Sequence, residues 1–238
     1  ATSVWPPEVK KVRFWLDQGP SGTVASKNDG VLSDIAPIKA GHDEYKVDYT
    51  STVGAFSRWM NGYGRRRDDI ENSTYLDERT NENEKALTYT SSALDDDMQL
   101  IGYPTMHMSV KSSHEDGDFF VYLEEIDGEG KSHYVTEGVL RGSHRTISQA
   151  PFNNFGLPFH RSYEEDLQPM QPGQPTELTF DLMGSAITLD AGHRIRITIT
   201  GADAHNFALY PDPTGGDAPI IEVLTGGPSG SYVELPIL

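Results

Sequence analysis

A chain of 238 residues in which 19 Lys and Arg face 36 Asp and Glu carries a formal charge of −17. Such a surface repels polyanions, so nucleic acid and anionic bilayers are excluded as its main targets. Cysteine is absent, which excludes disulfides, thiolate catalysis and Cys-ligated metal centres, while 36% hydrophobic residues suffice for a packed core.

The opening Ala1 to Trp5 has neither the basic stretch nor the apolar stretch of a leader peptide, and Trp15 lies in a strand-like run. No run approaches the roughly 18 apolar residues that a membrane-spanning helix needs. The segment from Val53 to Asp68 reads as an irregular loop rich in Gly and Arg. Between Gly54 and Arg67 it holds Arg58, Arg65, Arg66 and Arg67 with no acid, a local charge of +4 in an acidic chain. Arg forks onto carboxylates and stacks on rings, so this loop, with Phe56, Arg58 and Trp59, is the candidate docking or substrate-facing element.

Further along, apolar residues alternate with a period of two. Met106, Met108 and Val110 share one face of a strand over 104–112; Phe119, Val121 and Leu123 share one face over 118–126. Leu178, Phe180 and Leu182 repeat the pattern, as do Ile195, Ile197 and Ile199. Side chains of a strand point alternately to its two faces, so each run predicts a strand with one buried face in an antiparallel sheet. Asp127-Gly128-Glu129-Gly130 predicts a hairpin turn into a strand over 131–140, and Gly and Pro clusters at 171–175, 190–192, 212–216 and 226–230 punctuate the rest. The stretch 148–175 reads as a second long irregular segment. The expected fold is all-β: a two-sheet antiparallel β-sandwich of jelly-roll type with long irregular loops, spanning 1–238 as one domain.

Catalytic chemistry is sought and not found. Ser21 and Ser229 sit in Gly-Pro-Ser-Gly stretches that lack the second spaced glycine of a nucleophile elbow, and the preceding proline disfavours that turn. None of the eight histidines forms a His-Glu-x-x-His pair, and neither 95–97 nor 164–166 has the alternating ligands of a calcium loop. No catalytic residue, metal ligand or cofactor is assigned. His107 and His133 are expected to pair with polar partners across strands.

The ordered set of motifs points further. Trp5-Pro6-Pro7, the stretch from Leu87 to Leu94, Leu100 to Pro104, Asp118 to Leu123, Thr136 to Arg141, Gly192 to Ile197 and Ser231 to Pro236 follow one another along nearly the whole chain. In that order they resemble the C-terminal domain of the X-prolyl-dipeptidyl-peptidase and cocaine-esterase superfamily of serine hydrolases. The resemblance implies a jelly-roll sandwich without catalytic residues of its own, and His193 then belongs to a strand-entry motif. It implies an α/β-hydrolase catalytic domain of the same parent protein as partner, a parent that hydrolyses ester or amide bonds, and no nucleic acid or membrane partner. Ala93 and Glu125 depart from the usual Pro and Asp, which leaves the substrate open. Self-association into a homo-oligomer also stays open. Two competing readings are a carbohydrate-binding module of galactose-binding-like type, using Trp5, Trp15 or Trp59, and an independent enzyme assembled from scattered residues.

Overall fold

The computed structural model describes residues 5–53 and 79–238. Thirteen strands occur there: β1 (Lys10–Asp17), β2 (Gly30–Ser33), β3 (Gly41–Lys46), β4 (Leu87–Thr90), β5 (Met98–Gly102), β6 (Thr105–Ser112) and β7 (Asp118–Ile126) come first. Then follow β8 (Ser132–Arg141), β9 (Thr176–Asp181), β10 (Ser185–Leu189), β11 (Arg194–Thr200), β12 (Ile220–Thr225) and β13 (Tyr232–Ile237). A single helical turn, α1 (Thr80–Asn83), precedes β4.

Hydrogen bonding runs without a break in the order β3-β12-β6-β13-β1-β2-β4-β11-β7-β8, with β9 beside β6 and the pair β5–β10 attached through β13. Every pairing is antiparallel except β2 with β4. The inward side chains of both halves belong to one core: Met106, Met108, Leu178, Phe180 and Val233 from one, Phe119, Val121, Leu123, Ile195 and Ile197 from the other. The two layers of the sandwich are thus one sheet folded over a shared core, joined through β1 and β2. Its far edge meets the β9–β10 connection, where the Met183 amide donates to Glu137 O at 2.8 Å and Thr136 Oγ1 donates to Met183 O at 2.6 Å. Gly138 is required there, because a Cβ would lie 2.6 Å from Asp181 O, a backbone atom.

The period-two runs become β6, β7, β9 and β11 with the expected inward residues. The hairpin between β7 and β8 forms as expected: Asp127 Oδ1 accepts the Glu129 and Lys131 amides at 2.8 and 2.9 Å, and Gly130 takes φ +84°. A bulge in the pairing at Leu123/Glu124 gives β8 one extra residue there, Val135, which joins the core.

One expectation needs correction. β7 and β11 each bury both faces: Phe120, Tyr122 and Glu124 are as inaccessible as Phe119, Val121 and Leu123, and Arg196, Thr198 and Thr200 as the isoleucines beside them. On the outer face Val53 and Phe207 pack on Phe120 and Tyr122, with Tyr134 and Val139 of the paired strand β8 beside them. Beside these, Arg79 and Asn83 cover Glu124.

Candidate functional site

Several serines and histidines among the described residues make structural contacts. Ser21 Oγ donates to Asp29 Oδ1 inside its turn, and Ser229 closes a 3-10 turn over Gly227–Ser229. Ser113 Oγ lies 2.8 Å from His114 Nδ1, but it already accepts the Ile220 amide at 2.9 Å and ends a strand. His133 Nε2 meets Asp127 Oδ2 at 2.7 Å and pulls that carboxyl down to about 2, which locks the β7–β8 turn. His193 Nδ1 meets Glu125 Oε1 at 2.8 Å and ties the start of β11 to β7; Glu125 is thus a cross-strand partner. His107, whose pKa is lowered by burial, stacks on Tyr232 at 4.5 Å and faces Thr179 Oγ1 at 3.3 Å.

Each acidic run supplies a structural contact. Asp97 Oδ1 accepts the Ala191 amide at 2.9 Å, and Asp166 forks with Arg161. Among the described residues no three His, Asp or Glu side chains gather into a metal site, and no helix is long and apolar enough to cross a membrane.

Phe56, Arg58 and Trp59 lie outside the described residues. The chain on either side of that segment is firmly held. Before it, Thr52 Oγ1 and the Val53 amide both donate to Asp203 Oδ1, at 2.9 and 3.1 Å. After it, Arg79 Nε donates to Glu124 Oε1 at 2.7 Å, with side-chain exposures of 4% and 0%, and its guanidinium lies 3.9 Å from the Tyr122 ring centre. Asn83 Nδ2 and Ser132 Oγ donate to Glu124 Oε2 at 2.9 and 2.5 Å, so the buried carboxylate is fully partnered. Burial disfavours the Arg79 charge, and the Glu124 carboxylate with the Tyr122 ring outweighs it, so the Arg79 pKa stands raised. Neither anchor could be found from the sequence, since period-two patterning marks 124 as a wetted position.

The described surface has one concentrated aromatic face. Trp5, 43% exposed, meets Tyr103 edge-on at 6.1 Å and donates from Nε1 to its hydroxyl at 3.2 Å. Tyr103 stacks on Phe155 at 6.1 Å, and Phe152 packs edge-on to Phe159 at 5.4 Å. Phe152 and Phe155 remain 61% and 50% exposed. A cleft of about 290 Å³ runs among these rings and Asp181, whose carboxyl burial raises. Gly184 lies beneath, where a Cβ would meet the Tyr103 ring at 2.9 Å. The sequence marked 148–175 as an irregular segment and Trp5 as an opening motif; their meeting is a tertiary fact. Trp15 lies elsewhere, on the outer face of β1, and spends its ring on Tyr232 at 4.6 Å.

A second cleft, of about 570 Å³, opens between the irregular segments 142–175 and 201–219, at the end of the β7–β8 pair. Arg141 lies along it, forked onto Asp118 from Nε and Nη2 at 2.8 and 2.9 Å and stacked on Tyr210 at 4.0 Å.

This architecture has known relatives. The family model for the X-Pro dipeptidyl-peptidase C-terminal non-catalytic domain matches residues 1–218. Proteins bearing the name serine esterase in Mycobacterium bovis and Mycobacterium tuberculosis are each 34% identical over 240 residues, covering 100% of this chain and 35% of theirs. The chain therefore spans about a third of the length of these relatives. Among solved structures, a CocE/NonD family hydrolase from Staphylococcus aureus superposes with TM-score 0.67 at 15% identity over 100% of this chain and 38% of its own. An aminopeptidase from a marine sediment Thaumarchaeota archaeon gives 0.70 at 18% identity over 99% and 38% of the two chains, and an α-amino acid ester hydrolase 0.66 at 20% over 96% and 36%. At such identities the superpositions speak for the fold alone. The fold and the match to residues 1–218 agree, and the chain belongs to the family of X-Pro dipeptidyl-peptidase C-terminal non-catalytic domains.

Proposed function

We propose that residues 1–238 form one accessory β-sandwich unit of a larger serine hydrolase acting on ester or amide bonds, of the dipeptidyl-peptidase, acyl esterase or acylase type. In this reading the unit packs on the α/β-hydrolase catalytic domain of the same parent protein and shapes substrate access to it. The observation that carries the reading is the family match over residues 1–218, to a domain described as non-catalytic. The names of the mycobacterial relatives and their greater length support it.

The aromatic face around Trp5, Tyr103, Phe152 and Phe155 suits the docking side, because rings left exposed in a cluster gain most by being covered. The loop from Gly54 to Arg67 forms a second contact in this reading, with Phe56 and Trp59 as apolar contacts and Arg58 as a carboxylate partner. Its flanks at Val53 and Arg79 are pinned to buried carboxylates, a footing suited to a working loop. The experiment is made in the longer protein. Phe152→Ser with Phe155→Ser, and separately removal of Gly54 to Arg67, are expected to lower its thermal stability and to alter KM for the parent's substrate. Unchanged kinetics and unchanged melting in both variants overturn the assignment of these contacts. A parent without hydrolase activity overturns the function.

A further inference from the structure

The cleft at the end of the β7–β8 pair is built from three directions. Its floor is apolar, from Val139 and Phe207 on the outer face of the sheet. One wall is the 3-10 turn Gly142–His144, fixed by the Gly142 amide on Gly117 O at 2.9 Å and the Ser143 amide on Asp116 Oδ1 at 2.8 Å. The opposite wall, around His160 to Ser162, is fixed by the His160 ring. Its Nδ1 lies 3.2 Å from Thr146 O and its Nε2 2.9 Å from Thr179 O. Ser162 faces the cleft with φ +53°, a conformation uncommon for a residue bearing a Cβ.

Arg141 is the chemical centre. The Asp118 fork uses Nε and Nη2, and the Tyr210 ring covers one face, so the guanidinium plane is set in advance. Its Nη1 has no acceptor among the described residues, and the side chain keeps 35% of its exposure. The His144 ring and the Ser162 hydroxyl, both lining the cleft, likewise have no hydrogen-bond partner among the described residues. Three uncommitted polar groups therefore share one cleft above an apolar floor, in a volume within the range of small-ligand sites.

The geometry points to a binding site for a small apolar monocarboxylate: its carboxylate takes the free edge of Arg141, with His144 and Ser162 beside it, and its hydrocarbon body lies on Val139 and Phe207. Asp118 offsets the Arg141 charge, so recognition rests on directed charge-assisted hydrogen bonds and apolar cover, and an uncharged analogue of the same shape loses the first of these. Binding is read out on the 238-residue chain itself.

The test is titration of the chain with 3-phenylpropionate and with neutral 3-phenylpropanol, followed by calorimetry and by amide shifts of residues 139–144 and 207–208. Saturable binding of the carboxylate, at least about tenfold tighter than the alcohol, is expected. Arg141→Gln removes the guanidinium and its free Nη1 edge. Ala208→Glu puts a carboxylate at the exposed rim without touching a packed residue, and decides the matter if the first variant does not fold. Each is expected to weaken binding at least about tenfold. Equal affinity for acid and alcohol, absence of saturation, or an unaltered affinity in Ala208→Glu overturns the proposal.

Discussion

Glu124 and Arg79 illustrate how a single buried charge is tolerated. The carboxylate is wholly inaccessible, yet Arg79, Asn83 and Ser132 fill its acceptor positions. Removing one partner leaves an uncompensated charge in a low-dielectric setting, so Arg79→Met is expected to cost about 3–5 kcal/mol. Arg79→Met with Glu124→Leu should recover part of that loss; urea denaturation of the three chains measures the coupling. Asp127 supplies a pH signature. Its carboxyl, held by His133 and two backbone amides, titrates in the folded chain near 2 against an ordinary 3.8. A depressed folded-state pKa contributes stability that is complete above the unfolded value and fades as pH falls from about 4 towards about 2. Asp127→Asn is therefore expected to flatten the acid limb of a stability–pH curve in that window. Neither residue announces this in sequence, because an acid in a strand and an acid in a turn look alike until their partners are known.

At the scale of elements, alternation predicted β6, β7, β9 and β11, and turn chemistry predicted the β7–β8 hairpin. β3 and β10 gave no such signal. β3 (Gly-His-Asp-Glu-Tyr-Lys) is an edge strand with one buried side chain, Tyr45, and β10 buries only Leu189 fully, so neither needs an apolar stripe. The closure of β8 against the β9–β10 connection is a steric matter. Gly138→Ala forces a Cβ against Asp181 O and the Leu182 backbone, neither of which is a flexible side-chain end. A loss of about 1–3 kcal/mol is expected, read as a lowered melting temperature. Within the core, Ile197→Ala removes a fully buried side chain on β11 and should cost about 2–5 kcal/mol by the same measurement.

For the molecule as a whole, the −17 charge acts through self-repulsion across the surface. Salt shortens the reach of that repulsion to about 10 Å at 0.1 M, so the melting temperature is expected to rise between about 0.01 and 0.1 M NaCl. A melting temperature that falls over this range, followed by calorimetry, would show that local ion pairs outweigh the net charge. The sequence by itself determined the all-β class, the inward face of each central strand, the irregular segment 148–175 and the family, because these depend on alternation, turn residues and motif order that neighbours along the chain already contain. Tertiary structure alone decided that β7 and β11 are covered on both faces, that Trp5 meets Tyr103 across 98 positions, and that Arg141 lies in a cleft between two irregular segments. A strand's pattern states which side chains share a face. What comes to lie over that face is settled by distant segments that only folding brings there.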